Sequence, residues 1–231
     1  MSQITDNITD IRQEIADTCK KLGKKPEEVQ LIAVTKTIEP ERINEAIANG
    51  ITDIGENKVQ EIMDKYTLVS PINWHMIGHL QTNKVKYIID KVKLIHSLDR
   101  ISLAEEIQKR AERINRAVDV LVQVNIGQEE TKSGIEPDEV YDFVAALRPF
   151  SYIQVKGLMT VAPYKEDPEE VRPYFNTMKE VFERIRAKNL PGIEMKYLSM
   201  GMTNDYKVAI EEGANIIRVG TAIFGSRIYR K

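Results

Sequence analysis

The sequence lacks several features that would assign it to particular classes of protein. Its 231 residues include one cysteine, one tryptophan and no apolar run long enough to span a bilayer. A single cysteine excludes an internal disulfide framework and is typical of a reducing compartment. No cationic leader precedes an apolar stretch at the N-terminus. We therefore expect a cytoplasmic protein that does not insert into membranes.

An excess of charge of one sign is also missing. The 33 Lys and Arg residues nearly balance the 35 Asp and Glu residues, which gives a formal net charge of -2. This balance gives no electrostatic reason to expect binding to nucleic acid or to an anionic membrane surface. The hydrophobic content of 42% and charged content of 29% are those of a soluble protein that can bury a sizeable core.

Short apolar runs alternate with longer helix-patterned segments, such as PERINEAIANG and EEVRPYFNTMKEVFERIRAKN. The apolar runs are LIAVT, TDIGE, WHMIG, KLIHSL, VDVLVQVNI, VKGLMTV, KYLSM and NIIRVG. This alternation is typical of parallel βαβ units, and about eight strands is the number that closes a parallel barrel. A doubly wound open sheet could be made from the same alternation. However, no GxGxxG follows the first run, and Lys36 stands where that phosphate loop would begin. We therefore predict an α/β fold with a single (β/α)8 TIM barrel.

An amphipathic segment, residues 1–24, precedes the first predicted strand. It predicts an extra helix packed on the barrel by an apolar stripe of Ile4, Ile8, Ile11, Ile15, Cys19 and Leu22. Cys19 is interpreted as a small buried hydrophobe. Gly50 and Gly213 end helix patterns and are expected to adopt the left-handed conformation. Since no linker interrupts the alternation, residues 1–231 are predicted to form one domain.

Two glycine-bearing turns, LSMGMTND and RVGTAIFG, follow the seventh and eighth apolar runs. Glycines admit a ligand to the backbone, hydroxyls donate hydrogen bonds, and helix N-termini attract anions. Thr203 is placed to cap a helix that runs to Glu212. Either turn alone is more simply an ordinary capped turn. Together they occupy the two positions where barrels commonly bind phosphate, and they predict a phosphate site.

Lys36 ends the first apolar run, at the rim where barrels carry their working residues. A lysine at a strand end is most often only solvated. Across a barrel mouth from a phosphate site, it indicates an aldehyde ligand held as a Schiff base. Pyridoxal 5′-phosphate supplies both the aldehyde and the phosphate, and so does a phosphorylated sugar in a lysine-dependent aldolase.

Seven motifs, in order and through nearly the whole chain, resemble the pyridoxal phosphate homeostasis protein family: LIAVTK, DIGEN, WHMIGHLQTNK, VNIGQEETKSG, VKGLMT, LSMGMTND and RVGTAIFG. The fold of that family is similar to the N-terminal barrel domain of alanine racemase. The resemblance implies pyridoxal 5′-phosphate as the cofactor and Lys36 as its Schiff-base lysine. It places Arg218 at the pyridine nitrogen and Asn57 and His79 near the ring. The residues that it implies for the phosphate side of the site are Ser199, Gly201, Thr203, Gly220 and Thr221.

Two features favour a protein that holds the cofactor over one that uses it. Arg218 can only donate to the pyridine nitrogen, which weakens the cofactor as an electron sink, although racemases of this fold also work with an arginine there. Only 11 residues follow Gly220, so we expect no second, β-rich domain to bring a base over the opposite face of the cofactor.

We therefore expect a monomeric binding protein that acts in vitamin B6 and amino-acid homeostasis and has no catalytic residue. Apo forms of pyridoxal phosphate enzymes are its expected partners. The alternatives are a small pyridoxal phosphate enzyme, such as a weak amino-acid racemase, and a lysine aldolase, which the family motifs disfavour.

Other residues that suggest chemistry have simpler interpretations. His75 and His79 lie on a predicted strand, which would hold their imidazoles too far apart for one ion, so no metal site is predicted. His75 is expected to be packed or exposed and not functional, and Trp74 to be a packing residue of the barrel or its rim. The loop EETKSG, with Glu129 and Lys132, is as readily explained by solvation as by closure over the mouth.

Overall fold

The computed structural model describes residues 2–129 and 133–225. Within these ranges the strands are β1 (Gln30–Val34), β2 (Asp53–Glu56), β3 (Asn73–Met76), β4 (Val92–Leu98), β5 (Val118–Val124), β6 (Ile153–Thr160), β7 (Ile193–Ser199) and β8 (Ile216–Val219). The helices are α1 (Gln3–Lys21), α2 (Pro40–Ala48), α3 (Val59–Lys65), α4 (Val85–Ile88), α5 (Ile101–Arg113), α6 (Val140–Ala146), α7 (Arg172–Ala187), α8 (Tyr206–Glu211) and α9 (Thr221–Phe224). All eight strands pair in parallel and in chain order into a closed barrel, which confirms the predicted fold class.

The barrel closes between its first and last strands. β1 pairs with β8 from Gln30 opposite Ile216 to Ala33 opposite Val219. On its other side β1 pairs with β2, with Val34 opposite Gly55. The carboxyl end of β1 is therefore flanked by the carboxyl ends of β2 and β8.

The apolar residues form two layers. A large cluster draws on both strands and helices and includes the helix residues Ile43, Leu103 and Phe175. A smaller cluster contains one residue from each of five strands and fills the inside of the barrel: Ile32, Leu94, Leu121, Met159 and Ile216. Because successive strand residues point to opposite sides, these inner residues identify which positions of each strand face the barrel axis.

Helix α1 packs against the outside of the barrel through the predicted stripe. Its residues Ile4, Ile8, Ile11, Ile15 and Cys19 are all buried. The prediction for Leu22 was wrong, because that residue is the C-cap and is 38% exposed. The Asn7 side chain donates to the Ile223 carbonyl at 2.9 Å, and Arg12 donates to the Gly50 carbonyl at 2.6 Å. Helix α1 is thus hydrogen-bonded both to α9, after the last strand, and to the turn after α2, between the first two strands.

Glycine is required at two helix ends, where the backbone is left-handed, and inside β6, where a neighbouring strand comes very close. Gly50 and Gly213 have φ of 84° and 102°, which confirms their predicted left-handed conformation. Inside β6, Gly157 has φ of 146°, and a Cβ atom there would lie 1.9 Å from the Tyr197 carbonyl oxygen. A side chain at position 157 would therefore separate β6 from β7.

Two predicted boundaries were wrong. The segment that starts at Glu169 begins as a 3-10 turn over Pro168–Val171, and the α-helix starts only at Arg172. Thr203 does not cap the helix after β7, since α8 begins at Tyr206 with Asp205 as its N-cap. Among the described helices, none has the length and apolar character needed to cross a bilayer.

Candidate functional site

The carboxyl ends of β1 and β8 bring Lys36 and Arg218 to the barrel mouth. Ile32 and Ile216 belong to the inner cluster, and steps of two residues along the chain lead from them to Lys36 and to Arg218 and Gly220. These positions therefore face the barrel axis. Lys36 lies just past the end of β1 and is partly buried, whereas Arg218 is only 4% exposed.

Asn57 lies on the next part of the rim. Continuing the pairing of Val34 with Gly55 places Lys36 beside Asn57, which follows β2. Gly78 packs directly on the Asn57 backbone, because a Cβ at position 78 would lie 2.4 Å from the Asn57 carbonyl oxygen. This close approach holds Asn57 in place next to the lysine.

The turns after β7 and β8 form a single surface. The Arg218 amide donates to the Gly201 carbonyl at 3.0 Å. Across the turns, the Thr203 hydroxyl accepts from the amides of Gly220 and Ala222 at 3.4 and 3.5 Å. Gly201, with φ of 92°, lies against α8, where a Cβ atom would be 2.6 Å from the Ala209 Cβ. The Thr203 hydroxyl and the amides of Gly220 and Ala222 thus lie together on one side of the mouth, and groups of this kind can bind phosphate.

Arg218 is held below these turns by two hydrogen bonds. Its Nη2 donates to the Thr160 carbonyl at 2.7 Å, and its Nη1 donates to the Ser199 hydroxyl at 2.6 Å. Burial lowers the pKa of the Arg218 guanidinium to about 10, and the charge of Asp205 acts in the opposite direction. Arg218 therefore stays protonated at neutral pH and offers only donors.

A buried chain of hydrogen bonds continues from Arg218 across the inside of the barrel. His96 Nδ1 lies 3.1 Å from the Ser199 hydroxyl, and His96 Nε2 lies 3.0 Å from His75 Nδ1. His75 Nε2 lies 2.9 Å from Asp53 Oδ1. We call these five residues, Arg218, Ser199, His96, His75 and Asp53, the buried chain.

One assignment of protons satisfies the whole buried chain. Arg218 donates to Ser199, Ser199 donates to His96, His96 donates to His75, and His75 donates to Asp53. Both imidazoles are neutral in this assignment. Burial lowers the pKa of His96, and the charge of Arg218, or a proton added to His75, acts in the same direction. Burial also lowers the pKa of His75, against the effect of Asp53.

The carboxylate at the far end of the buried chain is ionised. Burial would raise the pKa of Asp53, but hydrogen bonds from His75 and Thr52 and the charge of Lys93 lower it to about 2. The buried chain therefore runs from a guanidinium to a carboxylate through neutral groups.

The structure gives Ser199 a role that the sequence did not suggest. Its hydroxyl, fully buried, bonds to Arg218 and His96 inside the barrel. Its binding of phosphate stays a prediction. For His75 the sequence left open whether the side chain is packed or exposed, and the structure buries it, with 1% exposed. The sequence does carry a signal for the missed residues, because Asp53 and His96 interrupt the apolar runs TDIGE and KLIHSL at inward-facing positions.

His79 and Thr221 lie at the exposed edge of the mouth. The His79 side chain is 50% exposed, with Nδ1 3.5 Å from Asp99 Oδ2 and 3.3 Å from the Ser133 hydroxyl. Thr221 is exposed at the first turn of α9. Beside Asn57 and His79 a cavity of about 600 Å³ opens between α3 and α4. Its other lining residues are Lys58, Val59, Gln60, Met63, Gln81, Lys84 and Tyr87.

No group of three or more His, Cys, Asp or Glu side chains in the described ranges could hold a metal ion. Lys132, in the predicted loop EETKSG, lies outside the described residues.

The chain is similar to known proteins along almost its whole length. Residues 7–228 match the family model of the alanine racemase N-terminal domain. A relative in Aquifex aeolicus, named pyridoxal phosphate homeostasis protein, is 44% identical over 97% of this chain and 98% of its own. The solved structure of PipY from Synechococcus elongatus with PLP bound has a TM-score of 0.79 at 32% identity, covering 91% of this chain and 100% of that one. An alanine racemase of Clostridium difficile has a TM-score of 0.70 at 15% identity, covering 96% of this chain and 57% of that enzyme, and shares the fold.

Proposed function

Since this chain belongs to the pyridoxal phosphate homeostasis protein family, we propose that it binds pyridoxal 5′-phosphate as a Schiff base on Lys36 and serves in vitamin B6 and amino-acid homeostasis. The observation that carries the proposal is the arrangement of the mouth. Lys36 lies at the end of β1, beside the end of β8 with its buried Arg218 and the paired turns that follow β7 and β8. The PLP-bound structure of PipY, a relative at 32% identity, supports the choice of cofactor.

Each residue of the mouth has a definite task in this proposal. When bound, pyridoxal 5′-phosphate supplies an aldehyde for an amine and a pyridine ring that can accept electrons. Lys36 offers the amine, and Gly201, Thr203 and Gly220 form the surface for the phosphate. Arg218 would donate to the ring nitrogen, which must be unprotonated to accept, and this would limit the ring as an electron sink.

We propose that the protein holds or delivers the cofactor with little or no turnover. The name of the Aquifex relative supports this, since that protein is called a homeostasis protein and is matched over 98% of its length. The rival function is a weak amino-acid racemase, which shares the barrel.

The substitution Lys36→Ala tests the covalent part of the proposal. The wild-type protein mixed with pyridoxal 5′-phosphate should develop a visible absorption band, and borohydride reduction should fix the cofactor on the peptide that contains Lys36. Lys36→Ala should lose both signals. Lys58 is an exposed lysine near the same rim, and Lys58→Ala is the matched control, which should keep both the band and the labelled peptide. An unchanged band in Lys36→Ala would refute the proposal.

Two further assays separate a carrier from an enzyme. The loaded protein is incubated with a panel of amino acids in deuterated water, and exchange of the α-proton is followed. Exchange at enzyme-like rates would favour the racemase. Transfer of the cofactor to an apo pyridoxal phosphate enzyme, faster than free release allows, would support delivery by contact.

We also propose a cytoplasmic monomer whose partners are such apo enzymes. The oligomeric state follows from light scattering of the loaded protein. A stable dimer would contradict this part of the proposal.

A further inference from the structure

A second group of buried charges lies beside Lys36, and the tasks described above do not use it. Glu56, the last residue of β2, is fully buried, and Lys65, the last residue of α3, is only 8% exposed. Glu61 lies one helical turn before Lys65. We call Glu56, Glu61 and Lys65 the charge cluster.

The Lys65 ammonium uses its three protons on three fixed acceptors. It donates to the Thr35 carbonyl at 2.8 Å, to Glu56 Oε1 at 2.9 Å and to Glu61 Oε2 at 2.8 Å. An ammonium has three donors, so this side chain is fully satisfied where it lies. Lys65 therefore joins α3 and β2 to the end of β1.

The charge cluster holds the residues on both sides of Lys36. Besides the bond from Lys65 to its carbonyl, Thr35 donates its hydroxyl to Glu56 Oε1 at 2.7 Å. The amide of Thr37 donates to Glu61 Oε2 at 2.6 Å. Thr37 has φ of 63°, a conformation that a β-branched residue avoids unless its surroundings impose it. The backbone on either side of the lysine is thus fixed by charged side chains of β2 and α3.

Building on the proposed function, we propose that Glu56, Glu61 and Lys65 are positioning residues, which fix the backbone at Thr35 and Thr37 so that Lys36 is presented to the cofactor. A lysine has four rotatable bonds, and reaction with an aldehyde requires its amine at one point of the mouth. Fixing the backbone on both sides of Lys36 removes part of that freedom before the cofactor arrives.

One carboxylate oxygen of Glu56 is buried without a hydrogen bond in the part of the chain that the structure describes, and this makes the positioning of Lys36 sensitive to pH. Among the described residues, no group donates to the buried Oε2 of Glu56. Burial raises the pKa of Glu56 to about 7, while Lys65 and the Thr35 hydroxyl lower it and the neighbouring Glu61 raises it. The groups around Glu56 are Thr35, which directly follows β1, Lys65 and Glu61 from α3, and the apolar Met76 opposite Glu56 in β3. Glu56 therefore carries its charge above about pH 7 and loses it below, together with the charged bond to Lys65.

The substitution Glu56→Gln keeps the shape of the side chain and removes its charge. We measure the dissociation constant of pyridoxal 5′-phosphate from the visible band, for the wild type and the variant, between about pH 5.5 and 8.5. At high pH the variant should bind the cofactor about tenfold more weakly. A tenfold change in the dissociation constant corresponds to about 1.4 kcal/mol, which is close to the contribution of one charge-assisted hydrogen bond. At low pH wild-type Glu56 is itself neutral, so the two constants should converge.

Two further variants separate positioning from general destabilisation. Lys65→Met should weaken binding at least as much as Glu56→Gln. Lys156→Met is the control, because Lys156 pairs with Glu194 at 2.6 Å on the strands β6 and β7, and it should leave cofactor affinity unchanged at every pH. Melting temperatures of the cofactor-free proteins show how much of any change is loss of fold.

The outcomes distinguish this inference from the proposed function. If the wild type shows no visible band, the proposed function fails. If the wild type binds and the ratio of the two constants is the same at every pH, including a ratio of one, the proposed function survives and the positioning role is wrong. Should Lys65→Met not fold, Glu56→Gln alone decides.

Discussion

Replacing His96 with leucine tests the buried chain, and the structure gives the expected magnitude. His96 donates to His75 Nδ1 and accepts from the Ser199 hydroxyl, and both partners are buried. Leucine fills the space and makes neither bond, so one acceptor and one donor lose their partner. Each unsatisfied buried group costs about 1–3 kcal/mol, which gives a loss of about 2–6 kcal/mol in the free energy of unfolding.

The measurement is urea unfolding followed by circular dichroism near pH 8, where both imidazoles are neutral in the folded and unfolded states. His79→Leu is the matched control. The His79 side chain is 50% exposed, so its substitution should change the free energy of unfolding by no more than about 0.5 kcal/mol.

The double variant His75→Leu/His96→Leu sharpens the test. Removing both imidazoles deletes the unpaired acceptor that the single variant leaves at His75, so the double loss should be smaller than the sum of the two single losses. An unfolding free energy of His96→Leu within about 0.5 kcal/mol of wild type would refute the proton assignment, and so would strict additivity.

Two other predictions concern the stability of a β6 variant and the loss of stability at acid pH. Gly157→Ala should cost more than about 4 kcal/mol or prevent folding, as measured by soluble yield and urea unfolding, because the added Cβ would meet the Tyr197 carbonyl oxygen at 1.9 Å. Acid should weaken the fold through His96. Since burial places its folded pKa below 6.5, the unfolded chain binds more protons below that pH, and the stability that neutral His96 provides above pH 6.5 is lost as the pH falls. The slope of unfolding free energy against pH just below 6.5 should be steeper in wild type than in His96→Leu by up to about 1.4 kcal/mol per unit, and equal slopes would contradict this.

The sequence predicts the fold well because its signals are local and repeated. Each apolar run such as LIAVT or KLIHSL is bounded by helix patterns, and the order of the strands follows from parallel connections between neighbours. Helix ends are less certain, since they depend on contacts that the pattern does not contain. The start of α8 at Tyr206 is an example, because the Thr203 hydroxyl accepts from the amides of Gly220 and Ala222, in the turn after β8, and does not cap α8.

The sequence predicts those residues of the candidate site that lie at the rim of the barrel, and it does not predict the buried ones. Lys36, Gly220 and Arg218 stand at strand ends, where alternation and loop chemistry identify them. The buried chain depends on His75, His96 and Asp53 meeting across the barrel from β3, β4 and β2. No local pattern in the sequence indicates that these three side chains form hydrogen bonds with one another, because they lie on different strands. The charge cluster was missed for a related reason, because Lys65 is a helix-end lysine by pattern and becomes buried only when α3 packs beside β1 and β2.

The seam between β1 and β8 has a consequence for protein synthesis. Lys36 follows the first strand, and Arg218 lies on the last, paired with Ile32. A nascent chain on the ribosome therefore carries the lysine early but lacks the adjacent wall of the pocket until β8 has been translated and has emerged. Binding of pyridoxal 5′-phosphate should therefore require both strands, and products that end before β8 should not retain the cofactor.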